Sequence, residues 1–442
     1  MTSYTGPITI RHQFPLDARR RGLAPLARSL GRGGLSLVVP LATVWCLAAS
    51  AVSNAQVLPA TPVTFLGGRL TVGGDVAVAF GPYDEVAFFN YGDYDHDMMR
   101  LIRLGAAGTF VVSSRISLHG EFRAEGDVVE AGWTAYPVVA TLHVEPFASG
   151  RVGVSAGLVQ PAFGAFLQRR YGTSNPLIGY PLGYQYTTGV RADALPSSTA
   201  DLVANRGRGW APHYPIGGGR GVSGMPLVNT TGWSPGVEVT ADTARTRTTV
   251  TVMRGSLANP GSSDAHGGWE LTGRFEARPI VGLVVGASGA YGSFVDRRLS
   301  AVVATAASNR DPRESAFGLD AEYSFGYWIV RAEVLVVRRR FPAFKAPFLD
   351  DPLVATSADV EARYKILPGL YAAVRLGYIA FGDVSTASGP LGWDANVGRV
   401  EAGLGYALTR NLTAKAVYQY NRRDTTQAAK LGLAAAQLVL TF

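Results

Sequence analysis

The sequence predicts an all-β fold, a transmembrane antiparallel up-and-down β-barrel of about 16 strands, from three observations. Apolar and polar residues alternate strictly over stretches of about ten residues, and the connections between these stretches are alternately very short and long. The chain also ends in an alternating strand, Gln437 to Phe442, that puts Leu438, Leu440 and aromatic Phe442 on one face. No stretch after residue 55 supplies the roughly 20 consecutive apolar residues of a membrane-spanning helix, so helical spans are excluded.

Composition agrees with a large folded body. Of the 442 residues 47% are apolar and 17% charged, which excludes intrinsic disorder. The net charge of +8 is concentrated at the N-terminus, where Arg11, Arg19, Arg20, Arg21, Arg28 and Arg32 stand against Asp17. The remainder is only +3, and it carries no nucleic-acid motif, so no nucleic-acid partner is expected.

Residues 1–55 have the order of a cleaved secretory signal peptide: the arginines, then the apolar run Leu35–Val52, then Ser53-Asn54-Ala55 with small residues before a cut at Gln56. The alternative is an uncleaved anchor, but Pro40 interrupts the apolar run. Cys46, the only cysteine, lies inside this segment, so the exported body (56–442) has no disulfide and must be held by other means, such as a closed hydrogen-bonded sheet.

The alternation is read element by element. Leu412, Ala414, Ala416, Tyr418 and Tyr420 alternate with Asn411, Thr413, Lys415, Gln419 and Asn421. Ile116, Leu118 and Phe122 face away from His119, Glu121 and Arg123, and Trp269, Leu271 and Phe275 oppose Glu270, Arg274 and Glu276. The pattern places strands near 69–80, 97–111, 115–125, 135–146, 150–160, 233–242, 245–255, 268–278, 280–293, 314–325, 327–340, 355–366, 369–381, 396–408, 411–423 and 430–442. An even number returns both ends to the rim of short turns, as closure requires. A soluble half-buried sheet would alternate too, but it would not alternate short turns with long links. Tyr323, Tyr327, Trp328, Tyr364, Tyr371, Tyr378, Tyr406 and Tyr418 sit near strand ends and are candidates for interfacial girdles. A barrel this wide is expected to enclose an aqueous channel.

Between the fifth and sixth strands lies the long loop 161–232. Its aromatics, among them Phe163, Phe166, Tyr171, Tyr180, Tyr184 and Tyr186, argue for packing, and the place available is the barrel interior. The loop is therefore expected to fold into the lumen as a constriction. The passage into it, Gly157-Leu158-Val159-Gln160-Pro161-Ala162-Phe163-Gly164, resembles the strand-to-loop passage of the phosphate-selective porin family and related gated porins of Gram-negative bacteria, with Ala162 inserted between Pro and Phe. The resemblance implies an outer-membrane channel for passive diffusion of small hydrophilic solutes or ions, and it permits a homotrimer.

Charge refines the expectation. Arg169, Arg170, Arg191, Arg206, Arg208 and Arg220 face only Asp193 and Asp201 within the loop, a balance of +4, and are candidates for the pore constriction. The alternative is an outer surface touching lipopolysaccharide. The wall carries both signs, with Glu121, Arg123, Arg274, Arg331, Glu333, Arg363 and Arg399 as lumen-facing candidates, so anion preference is expected to be mild at most. A plugged barrel acting in surface binding or envelope integrity is the alternative function.

Other sites are weaker. Asp93, Asp95 and Asp97 alternate as calcium ligands do but lack the glycine and distal glutamate of an EF-hand, so a solvated turn is the default and no metal site is assigned. His119 and His143 point to the lumen from adjacent strands with no nucleophile motif, so no enzyme and no cofactor is expected. The partners expected are outer-membrane lipid and lipopolysaccharide, small solutes, and the barrel-assembly machinery through the strand ending at Phe442.

Overall fold

The computed structural model describes residues 62–83, 98–127, 133–147, 149–218, 222–230, 233–260, 268–297, 299, 312–340, 352–425 and 432–442. The expected signal peptide and the Asp93, Asp95 and Asp97 group lie outside the described residues, as does Arg220.

Sixteen long strands form one antiparallel sheet: β1 (Leu70–Tyr83), β2 (Met98–Ser113), β3 (Ile116–Asp127), β4 (Trp133–Val144), β5 (Val152–Val159), β6 (Ser234–Asp242), β7 (Thr246–Arg254), β8 (Trp269–Ala277), β9 (Leu283–Gly292), β10 (Glu314–Phe325), β11 (Trp328–Arg339), β12 (Leu353–Leu367), β13 (Leu370–Phe381), β14 (Val397–Ala407), β15 (Leu412–Arg423) and β16 (Gly432–Thr441). Each pairs with its chain neighbours, and β1 pairs with β16 from Asp75↔Thr441 to Phe80↔Ala436, which closes the barrel. The three-residue piece Val63–Phe65 adds only against β1. The backbone of Phe442 exchanges hydrogen bonds with Gly74, continuing the closing seam to the last residue. Closure leaves no open edge, which a sheet in hydrocarbon requires.

The two faces differ as the sequence pattern demands. On β14, Leu404 is 53% exposed while Glu401 is fully buried, and the same parity runs through Leu271 and Phe275 against Glu270 and Arg274 on β8. Apolar side chains exposed on the outside of a closed barrel make a lipid-facing band, so this is an outer-membrane barrel. Tyr371 departs from the expected girdle. It shares the parity of Arg375 on β13, and its hydroxyl donates to the Pro176 carbonyl at 3.0 Å, so it points into the lumen.

Seven connections are short, and they lie on one rim. Glycine sets several of them: Gly326 (φ 53°), for example, turns β10 into β11, and Gly369 (φ 85°), after Pro368, turns β12 into β13.

The interior is not the open aqueous channel expected of this width. Inward side chains on nearly every strand are buried, including Ala79, Arg103, Arg123, Thr251, Thr272, Ser288, Glu333, Ser357, Arg375, Glu401, Gln419 and Gln437. What covers them is the segment between β5 and β6, which brings a hydrophobic core into the lumen.

Candidate lumenal constriction

The chain turns inward where β5 ends. Gly157 takes φ 136°, and a Cβ there would lie 2.0 Å from the Ala140 carbonyl oxygen on β4, so only glycine keeps the pairing. The next residues step along the wall on hydrogen bonds. Ala162 N–H donates to Thr272 Oγ1 at 2.9 Å, Gly164 N–H to Ser288 Oγ at 3.1 Å, and Ala165 N–H to Glu333 Oε1 at 2.6 Å, moving from β8 to β9 to β11. Gly164 has φ 64°, and its Cβ would sit 2.0 Å from the Tyr184 hydroxyl, which itself donates to Glu333 at 2.8 Å. Both glycines of the sequence passage are thus fixed by close approach.

Inside, the segment packs as a small core. Phe166 lies edge-on to Tyr180, and tilted against Tyr184, each with ring centroids 5.1 Å apart. Leu167, Leu177, Ile178 and Leu182 are buried with them against Leu335 and Ala373 of the wall. Fully burying one such aliphatic or aromatic side chain stabilises by about 1.5–3 kcal/mol, so the cluster holds the segment in place. Two short helices, α1 (Leu182–Gln185) and α2 (Thr199–Ala204), shape its middle, and the Ser198 hydroxyl caps α2 by accepting from Asp201 N–H.

Charged wall residues fasten this core from several sides. Glu361 accepts from Arg331 at 2.9 Å and Arg169 at 3.2 Å, and is also paired with Arg375. Arg375 continues to Glu401 at 3.3 Å, to the Asn175 side chain at 2.9 Å and to the Gly179 carbonyl at 2.8 Å. The Lys415 ammonium donates to the carbonyls of Gly172, Asn175 and Leu177, the second at 2.6 Å. Across the lumen, Tyr171 donates to Glu121 at 2.8 Å, and Arg103 donates to the Tyr180 hydroxyl at 3.1 Å. Charges buried this deeply are tolerated because each has an opposite charge or several hydrogen bonds.

Nearer the rim of long loops, Asp394 plays the same part. Its carboxylate accepts from Gly189 N–H at 2.6 Å, Gly207 N–H at 2.7 Å, Ala395 N–H at 2.7 Å and the Tyr186 hydroxyl at 3.1 Å. Burial pushes this carboxyl above its ordinary range, against the pull of the backbone donors.

The arginines singled out as constriction candidates are distributed differently among roles. Arg170 is buried, stacked over Tyr171 and Trp233 at 4.3 and 4.4 Å, and Arg191 is buried in a bidentate pair with Asp193 at 2.9 and 2.8 Å. Arg169 is held by Glu361, and Arg206 by Asp424 at 2.8 Å and the carbonyls of Gly392 and Asp394. Arg208 is exposed. The seven wall residues Glu121, Arg123, Arg274, Arg331, Glu333, Arg363 and Arg399 all lie on the inward face of their strands. Arg274, for example, pairs with Asp320 at 2.5 and 2.9 Å, and Arg331 with Glu322 at 2.6 Å. His119 and His143 meet inside with ring centroids 5.9 Å apart, occupied by Thr109, Ser117 and Ser155 hydroxyls. Among the described residues no group of three or more His, Cys, Asp or Glu side chains is placed to hold a metal ion.

Space remains on one side. A cavity of about 500 Å³ lies between the inner faces of β4 to β8 and the stretch Gln160–Gln168, towards the rim of short turns. Its charged lining is Glu145, Glu238, Asp242 and Glu276 against Arg247 and Arg274. Both arginines are engaged, Arg247 by Asp242 at 2.6 and 2.9 Å and Arg274 by Asp320, so the cavity wall is acidic on balance. Asp394, Arg375, Lys415 and Asn175 were not singled out as loop anchors from the sequence. Only the parity of Arg375 and Lys415 on their strands signals that they point inward.

The sequence matches no family model and no curated protein. Solved structures share the barrel. The chain is similar to OmpF of Salmonella typhi, in complex with daunomycin, at 14% identity and TM-score 0.53, over 84% of this chain and 97% of that one. It is similar to in-vitro folded OmpT, an outer membrane protein of Vibrio cholerae, at 12% identity and TM-score 0.51, over 86% of this chain and 99% of that one. An anion-selective porin from Comamonas acidovorans aligns at 11% identity and TM-score 0.50, over 84% and 99%. At these identities the likeness is one of fold: a closed outer-membrane porin barrel.

Proposed function

We propose that the chain is an outer-membrane channel for passive diffusion of small hydrophilic solutes or ions, with the segment 161–232 as its constriction. The observation that carries this reading is the attachment of that segment to inward-facing side chains from β3 round to β15, which leaves the acidic cavity beside β4–β8 as the space beneath it. Pore width there is set by side chains locked in ion pairs, so the size limit is sharp and the solutes are small.

The same pairs bear on ion preference. Arg169, Arg170, Arg191 and Arg206 spend their charge on partners within the protein, and Glu145, Glu238 and Glu276 line the cavity. The expected anion preference is therefore weak, and the cavity wall tilts the balance towards cations. The residues before Gln56 are proposed to be the export signal removed before the barrel assembles.

Single-channel recording of the refolded chain Gln56–Phe442 in a planar bilayer under a salt gradient tests this. Steady openings support a channel, and the sign of the reversal potential reads the charge of the path. A folded barrel with no conductance would favour the plugged, surface-binding alternative.

A further inference from the structure

The rim of short turns carries an excess of positive charge. Arg115, Arg151, Arg245, Arg278 and Arg410 occupy five of the seven short turns, one each, and Lys365 lies near the end of β12 just before a sixth; all six are exposed. The acidic residues on the same turns are Glu145 and Asp242, and Asp242 is held by Arg247. The lumen balances its signs more evenly, so this basic excess is not a general feature of the composition.

The charges are interleaved with apolar side chains that reach outward on the same turns. Val281, three residues after Arg278, is 99% exposed, Phe147 beside Arg151 is 60%, and Leu408 beside Arg410 is 50%. Ile366 and Leu367 follow Lys365 directly and are exposed as well. Apolar side chains projecting from turns where the lipid-facing band ends, each with a cation on a long stem, match a lipid interface: the apolar part enters the acyl boundary and the cation reaches phosphate. A carboxylate-bearing polymer would be met by the charges but would gain little from Val281 or Phe147.

We infer that this rim is a binding surface for anionic phospholipid headgroups of the leaflet on the short-turn side, with the six basic residues as phosphate contacts. The ring selects a lipid shell and fixes the depth at which the barrel sits.

The test uses the full exported chain in nanodiscs of phosphatidylcholine mixed with phosphatidylglycerol, with spin-labelled forms of each lipid reporting the fraction immobilised at the protein. The wild type should favour phosphatidylglycerol several-fold, less so at high salt. A variant with all six residues changed to Gln should bring the preference to about one-fold, and the six-fold change to Lys or Arg, keeping charge, should retain it. Heat-modifiable gel mobility checks that each variant is folded. A wild-type preference near unity overturns the inference. So does a preference unchanged in the Gln variant, which would put the lipid contacts on the opposite rim, and so does capture by isolated peptidoglycan without lipid preference.

Discussion

The amide of Gly179 donates to Glu401 Oε1 at 2.8 Å, joining residues 222 apart in the chain and fastening the tip of an interior loop to the far wall of the barrel. Glu401 is shared with Arg375, which also grips Glu361, Asn175 and the Gly179 carbonyl. Removing the cation takes the arginine partner from buried Glu401 and leaves Glu361 to Arg169 and Arg331. Arg375→Met is expected to weaken attachment of the loop by about 3–5 kcal/mol. Limited trypsin digestion in detergent checks it: cleavage after buried Arg170 should be slow in the wild type and fast in the variant.

The entry turn is equally exacting. Gly164→Ala places a methyl group 2.0 Å from the Tyr184 hydroxyl at a backbone angle of φ 64°, so Tyr184 must leave Glu333 or the turn must open. A cost of about 1–3 kcal/mol is expected, mostly at the loop rather than the barrel. Faster hydrogen exchange at residues 162–166, with unchanged heat-modifiable mobility, would be the signature.

Asp394 offers a substitution of nearly constant shape. Asp394→Asn turns an amide group towards one of the N–H donors now met by oxygen, while removing the charge that burial disfavours. The two effects oppose, and loss of the matched acceptor is expected to win by about 1–3 kcal/mol. Exchange at Gly189 and Gly207 amides should quicken in the variant.

The outer face makes a separate prediction about the barrel itself. Leu404→Arg puts a guanidinium on the lipid side of β14, where the cost is up to about 2–4 kcal/mol at the bilayer midplane and less towards either interface. Urea unfolding from lipid vesicles measures it, and the inward change Gln419→Leu on β15, in contact with no lipid, should not reproduce the loss in proportion to bilayer thickness.

The barrel was legible because lipid reads the sequence residue by residue: with hydrocarbon on one side and polar groups on the other, every strand must alternate. The stretch read as 411–423 is Leu412–Arg423, and that read as 314–325 is Glu314–Phe325. For the loop, the aromatic residues Phe166, Tyr180 and Tyr184 are the local signal that it packs, and they are buried together. The fates of its arginines were not legible. Arg169 meets Glu361 and Arg206 meets Asp424 across 192 and more residues of chain, and no local pattern says which wall residue stands opposite which loop residue. Tyr371 was misread for a simpler reason: position at a strand end suggested a girdle, while its parity with Arg375 decided its direction.

The segment between β5 and β6 is proposed to constrict the lumen. The most direct measurement is single-channel conductance of the chain with residues 166–228 replaced by a short Gly-Ser linker, compared with the wild type under identical conditions. Emptying the lumen of a sixteen-stranded barrel should raise conductance many-fold and relax the size limit for solutes entering liposomes. Equal conductance in a folded variant would overturn this role for the segment, because the path would then run where it is not.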